Sequence, residues 1–171
     1  PARLAHRMLR HGDGPARRTR ARCAIRGLGV QLPTAAVTSG AIERRLGLEP
    51  GWIEQRTGIR SRWHAAPGQA SSDLAVGAVR AAVADAGVPE ETVDLLICAT
   101  CTPDMVLPST ACWTHRALGW RPLPAFDLSA TCAGFLYAMQ MAAGMLAAGY
   151  HRRIAIVATE TMSHFLDPED R

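Results

Sequence analysis

Cys132 is the residue whose type and position best fit covalent chemistry. It lies in PAFDLSATCAGFLYAMQMAAGMLAAG (residues 124–149), where a predicted strand turns into a long apolar helix. Backbone N–H groups in the first turn of a helix have no intrahelical partner and favour a thiolate over a thiol. Such a thiolate can act as a nucleophile. The competing interpretation is a cysteine that only packs, because free cysteines are among the most buried residues.

The remaining cysteines favour neither a disulfide scaffold nor a metal site. Five cysteines are an odd number without the spacing of a disulfide framework, which predicts a reducing compartment. Cys98 and Cys101 form one CxxC motif, but no second CxxC or histidine pair follows at zinc-ligand spacing. We therefore expect no metal ligands in this sequence.

Positive charge is concentrated at the start of the chain. Residues 1–22 contain seven arginines and one aspartate, whereas the rest contains twelve arginines and fourteen carboxylates. The positive net charge of +4 therefore comes from the first 22 residues, and the rest of the chain is slightly acidic. For this reason we expect no nucleic-acid binding. Residues 1–21 are predicted to be a basic, disordered leader, with a transit peptide as the alternative. No stretch approaches the roughly 18 apolar residues of a membrane-spanning helix, so no membrane partner is expected.

Strand-like and helix-like segments alternate, which predicts an α/β fold. The predicted strands are residues 22–29, 94–100, 124–130 and 153–159. The predicted helices are residues 40–46, 50–57, about 71–86, 109–118 and one that follows Cys132 and ends at Gly149. Apolar runs such as RIAIVAT (residues 153–159) are typical of parallel strands buried on both faces. Parallel strands carry their chemistry at their carboxyl ends, and Cys132 follows such an end.

Six motifs, in order along the chain, resemble the N-terminal half of β-ketoacyl-acyl-carrier-protein synthase III, of the thiolase superfamily. They are IRGLGVQLP (25–33), WIEQRTGIRSR (52–62), SSDLAVGAVRAAVADAGV (71–88), DLLICATCTPDMVLPSTAC (94–112), AFDLSATCAGF (125–135) and DPEDR (167–171). The resemblance implies a thiolase-like α/β fold with a mixed, mostly parallel sheet and flanking helices. Residues 22–171 would form the N-terminal half of one synthase domain.

The same resemblance implies an acyltransferase of fatty acid biosynthesis. An acyl group would pass from coenzyme A to Cys132 as a thioester and then condense, with loss of carbon dioxide, with malonyl-acyl-carrier protein. Coenzyme A thioester would be a substrate, and no permanently bound cofactor is implied. The expected protein is a cytoplasmic homodimer.

The resemblance also assigns binding residues. Trp52 and Arg56, one helical turn apart, would hold the coenzyme A nucleotide, and Arg171 would flank the adenine from the other side. Leu107, in the loop TPDMVLPS, would cross a dimer interface and cap the acyl pocket of the partner.

The family completes its site with a histidine and an asparagine from its C-terminal half. The four histidines of residues 22–171 (His64, His115, His151 and His164) do not occupy that position. The sequence therefore predicts a truncated chain that is inactive in condensation alone. The alternatives are a hydroxymethylglutaryl-CoA synthase, a type III polyketide synthase or a polyketide priming synthase, or else a non-catalytic interaction subunit.

Overall fold

The computed structural model describes residues 23–170, so the predicted leader and Arg171 lie outside the described residues. The strands are β1 (Ala35–Thr38), β2 (Ser61–His64), β3 (Leu95–Ala99), β4 (Ala125–Leu128) and β5 (Ile154–Ala158). The helices are α1 (Ser39–Leu46), α2 (Trp52–Thr57), α3 (Ser71–Ala86), α4 (Thr110–Leu118) and α5 (Gly134–Ala147).

The main sheet has the strand order β4-β3-β5, and both pairings are parallel. Its central strand, β3, is buried along its whole length, which explains its uninterrupted apolar sequence LLICA. The predicted parallel α/β architecture is confirmed. Antiparallel pairing occurs instead between β1 and β2, which form a separate two-stranded sheet.

Helices cover both faces of the parallel sheet. Successive side chains of β3 point to opposite faces, so Leu96 and Cys98 pack towards α3 and α4, whereas Leu95 and Ile97 pack towards α5. Small residues of α5, Ala138 among them, allow that helix to approach the sheet closely. Among residues 23–170, no helix is long and apolar enough to cross a membrane.

One predicted strand was wrong. Residues 23–33 contain no strand, and instead pack against α3, where the Leu28 N–H donates to the Asp85 carboxylate at 2.9 Å. A Cβ atom at Gly27 or Gly29 would overlap the α3 backbone, so these glycines permit the close approach. The helix predicted over residues 71–86 is confirmed as α3; its N-cap is Ala70, and the Ser71 hydroxyl donates to the Thr102 carbonyl.

Asp127 joins β4 to the start of α4. Its carboxylate accepts hydrogen bonds from the Thr110 N–H at 2.8 Å and the Ala111 N–H at 2.7 Å. Both donors belong to the first turn of α4, where N–H groups lack partners within the helix and a negative charge is favourable. One side chain therefore fixes a flanking helix on an edge strand of the sheet.

We predict that Asp127→Ala lowers the free energy of unfolding by about 2 kcal/mol, because two N–H groups lose a charged acceptor. Asp127→Asn keeps one acceptor oxygen and should lose less. Urea unfolding followed by circular dichroism measures both variants, with Glu91→Ala as the control at an exposed glutamate. Equal stability of Asp127→Ala and the Glu91→Ala control would contradict the role given to this carboxylate.

Candidate active site

The carboxyl ends of the three parallel strands bring polar residues to one edge of the sheet. Thr100 and Cys101 follow β3, Ser129 follows β4, and Glu160 comes two residues after β5. The Cys101 Sγ lies 3.9 Å from the Ser129 Oγ, and the Cys101 N–H donates to Glu160 Oε1 at 2.8 Å. All three strand ends therefore take part in one continuous polar surface.

Cys132 lies at this edge, in a single 3-10 turn (Thr131–Ala133) that joins β4 to α5. Its side chain is exposed. The preceding residue, Thr131, has a φ angle of 48°, a left-handed conformation that non-glycine residues adopt at a cost of about 1–3 kcal/mol. Gly134 then starts α5, and a Cβ there would lie 3.3 Å from the Ala99 Cβ, so the helix begins close against β3. A reagent can therefore reach the Cys132 sulfur.

Cys98 differs from Cys132 in burial. Cys98 is fully buried in β3, and its pKa is raised far above the usual range by burial and by the neighbouring carboxylates of Asp127, Asp104 and Glu160. Cys101, the second cysteine of the CxxC motif, is exposed. Within the described residues, no group of three histidine, cysteine, aspartate or glutamate side chains could hold a metal ion.

Trp52 and Arg56 stack on each other along α2. The Arg56 guanidinium carbon lies 4.2 Å from the centre of the Trp52 ring, and Arg56 Nη1 donates to the Trp52 carbonyl at 3.3 Å. Trp52 remains 39% exposed. The guanidinium thus lies over an indole that stays partly open to solvent, a geometry that fits a cation–π contact.

The start of α2 is held by Glu43, a residue that the sequence did not single out. Glu43 is 4% exposed, and its two carboxylate oxygens accept from the Gly51 N–H at 2.9 Å and the Ile53 N–H at 2.8 Å. A buried carboxylate at a helix N-terminus is favourable because the N–H groups there lack other partners. Glu43 therefore sets the position of the Trp52 backbone, and its place within a polar helix, α1, gave no sequence signal for this.

Leu107 is the remaining predicted site residue that the structure describes. Leu107 is 81% exposed and Val106 is 89% exposed, in the loop between β3 and α4. Arg171 lies outside the described residues, and the residues that precede it in the DPEDR motif are exposed. Glu160 is the second residue that sequence reasoning missed. Its sequence signal is a carboxylate two residues after the apolar strand β5.

Comparisons with known proteins confirm the resemblance proposed from the motifs. The family model for 3-oxoacyl-[acyl-carrier-protein] synthase III matches residues 126–171. The chain is 46% identical over 151 residues to the β-ketoacyl-[acyl-carrier-protein] synthase III of Rhodospirillum rubrum, which covers 88% of this chain and 47% of the relative. The chain thus spans about half the length of the curated relatives that it matches.

Solved structures support the same conclusion for the fold. The synthase III of Aquifex aeolicus superimposes with a TM-score of 0.81 at 35% identity, over 86% of this chain and 47% of that one. The priming β-ketosynthase of the R1128 polyketide pathway gives a TM-score of 0.79, also at 35% identity, over 86% and 44%. The thiolase-like fold of the described residues is therefore confirmed.

We predict that iodoacetamide, at about pH 8, modifies the exposed Cys132, Cys101 and Cys112 in the folded protein and leaves Cys98 unmodified. Only a thiolate reacts with this reagent. The raised pKa of Cys98 keeps its thiol protonated, and the burial of Cys98 keeps the reagent away. Peptide mass spectrometry after a timed exposure measures each site. Labelling in denaturant is the matched control, since Cys98 should then react, and native labelling of Cys98 would contradict the structure.

Proposed function

We propose that the intact protein is a β-ketoacyl-acyl-carrier-protein synthase III, an acyltransferase whose nucleophile is Cys132. One observation carries the proposal: an exposed cysteine lies in the strained turn between β4 and α5, within a chain 46% identical to such a synthase. A turn at the carboxyl end of a parallel strand is a common position for the reacting group of an α/β enzyme.

Acyl transfer is the first proposed step. The Cys132 thiolate attacks the thioester carbonyl carbon of an acyl-coenzyme A, the bond from that carbon to the coenzyme A sulfur breaks, and the released thiolate takes up a proton. A thiolate serves both as an attacking group and as a leaving group, so the covalent intermediate divides one difficult transfer into two easier ones. The exposure of Cys132 supports this step, because the bulky donor must reach the sulfur.

Condensation is the second proposed step. A malonyl group carried by an acyl carrier protein loses carbon dioxide, and the resulting carbanion attacks the acyl carbon on Cys132 and releases the Cys132 thiolate. Negative charge then develops on a thioester oxygen and requires donors aimed at it. We expect the histidine and asparagine that the family uses for this purpose to lie outside residues 23–170. The condensation is thus proposed for the intact protein.

The proposed coenzyme A site consists of Trp52, Arg56 and Arg171. The exposed indole of Trp52 supports stacking of an adenine, an interaction worth about 1–3 kcal/mol. The guanidinium of Arg56, already aligned over that indole, offers a fixed cation for a phosphate group. Arg171 is proposed from the motif alone.

We further propose a homodimer in the cytoplasm, with Leu107 of each subunit capping the acyl pocket of the other. The exposure of Leu107 and Val106 supports an interface, because adjacent apolar side chains open to solvent are typical of contact surfaces. The five free cysteines support a reducing compartment.

The second candidate function is a priming synthase of a polyketide pathway. A structural match to such an enzyme supports this alternative, with a TM-score of 0.79 against 0.81 for the Aquifex synthase. The 46% identity to a curated synthase III supports the first function. A non-catalytic interaction subunit would leave the exposed Cys132 and the Trp52–Arg56 pair without a role.

We predict that acetyl-coenzyme A, or a short branched acyl-coenzyme A, acylates the intact protein on Cys132. Cys132→Ser should abolish the label, because an alcohol is a far poorer nucleophile than a thiolate at neutral pH. Peptide mass spectrometry locates the acyl group, and Cys112→Ser, at another exposed cysteine, is the matched control that should keep it. Acylation of Cys101 or Cys112, with Cys132 unmodified, would overturn the assignment.

We predict that Trp52→Ala and Arg56→Ala each raise KM for acyl-coenzyme A by about tenfold and leave kcat for acyl transfer nearly unchanged. Both side chains would contact the carrier rather than the reacting carbon, so their loss removes uniform binding. Arg116→Ala is the matched control, since Arg116 stacks on Trp113 in α4 in the same way, at 5.5 Å. An unchanged KM in both α2 variants would remove the proposed site from α2.

A further inference from the structure

Glu160 connects the end of β5 to the segment that follows β3. Its Oε1 accepts from the Cys101 N–H at 2.8 Å, and its Oε2 accepts from the Thr102 hydroxyl at 2.5 Å. Hydrogen bonds to an ionised acceptor are about twice as strong as neutral ones. Two adjacent residues of one segment are thus held by a single carboxylate from another strand.

Three buried residues with hydroxyl side chains, Ser71, Thr102 and Thr161, form further hydrogen bonds beside this contact. The Thr102 Oγ1 accepts from the Thr161 N–H at 2.9 Å, and the Ser71 hydroxyl donates to the Thr102 carbonyl at 2.7 Å. Ser71, Thr102 and Thr161 are 1%, 5% and 6% exposed. Because the Thr102 hydroxyl has one proton, and that proton is directed to Glu160, the orientation of Thr102 depends on the carboxylate.

The segment held by Glu160 is the start of the loop that carries Leu107. A second anchor, Asp104, follows this segment: its carboxylate accepts from the Ser72 N–H at 3.0 Å, and its own N–H donates to the hydroxyl of Thr110, at the start of α4, at 3.1 Å. Between Asp104 and α4, residues 105–107 expose the apolar side chains of Met105, Val106 and Leu107. The position of Leu107 therefore depends on anchors outside the exposed stretch.

The same segment borders the turn of Cys132. The Cys101 Sγ lies 3.9 Å from the Ser129 Oγ, and Ser129 is three residues before Cys132. A shift of Cys101 would thus displace both the Leu107 loop and the strand end that leads into the Cys132 turn.

We propose that Glu160 is a positioning residue that fixes the Leu107 loop, and thereby sets which acyl chains are accepted in the acyl pocket of the other subunit that this loop would cap. The selectivity part of this inference rests on the function proposed above. Glu160 would contact no reacting atom and would act only through its hydrogen bonds to Cys101 and Thr102. Its removal should loosen the loop and admit longer acyl chains.

The test is a double-mutant cycle in the intact protein, read out as the ratio of Cys132 acylation rates with octanoyl- and acetyl-coenzyme A. Glu160→Ala and Leu107→Ala should each raise this ratio by about fivefold, the scale of one lost hydrogen bond. The double variant should show little further change, because both substitutions would act through the same loop. Glu91→Ala, at an exposed glutamate before β3, should leave the ratio unchanged. An unchanged ratio in Glu160→Ala, or strictly additive effects, would overturn the proposal.

Amide hydrogen exchange tests the anchor without any acyl transfer. In Glu160→Gln, the amide oxygen can still accept from Cys101, but the amide nitrogen cannot accept the Thr102 proton. Exchange over residues 101–104 should be about fivefold faster in Glu160→Ala, with an intermediate effect in Glu160→Gln, and the wild-type rate in Glu91→Ala. Unchanged exchange would overturn the anchor even if Cys132 is acylated. Faster exchange in a protein that takes no acyl group would support the anchor and refute the proposed function.

Discussion

The burial of β3 on both faces is the constraint on which the rest of the structure depends. A strand covered on both sides must satisfy its backbone groups through neighbouring strands, and β4 and β5 do so in parallel. Parallel pairing puts all carboxyl ends at one edge, and that edge brings Cys101, Ser129 and Glu160 together. The helices α3, α4 and α5 then follow as the layers that exclude water from the two faces.

The same edge holds thiols in two contrasting surroundings. Cys98 is closed off by the flanking helices and lies near three carboxylates, so burial and charge both disfavour its ionised form. Cys132, four residues beyond the end of β4, is open to solvent. Cys98 packs in the core because it lies within β3, whereas Cys132 is accessible because it lies in the turn that follows β4.

The sequence was sufficient to predict the elements that have strong local signals. The helices predicted over residues 71–86 and 109–118 and the strand predicted from the apolar run of residues 153–159 are all present, since local preference and burial agree there. Residues 22–29 were predicted as a strand because of their composition, whereas packing of Gly27 and Gly29 on α3 decides their conformation. Strand β2 was missed for a related reason, because the SRWH sequence of β2 becomes a strand only by pairing with β1.

Thr131 has a consequence for how this protein would respond to selection for heat resistance. A threonine at a φ of 48° is strained, and a glycine at this position would release the strain. The turn before Cys132 is therefore less stable with threonine than it would be with glycine. Laboratory evolution towards thermostability should therefore favour replacement of Thr131, at the expense of a well-defined direction for the following sulfur. The turn therefore exchanges some stability for a restricted geometry, and Thr131 is the residue responsible for both effects.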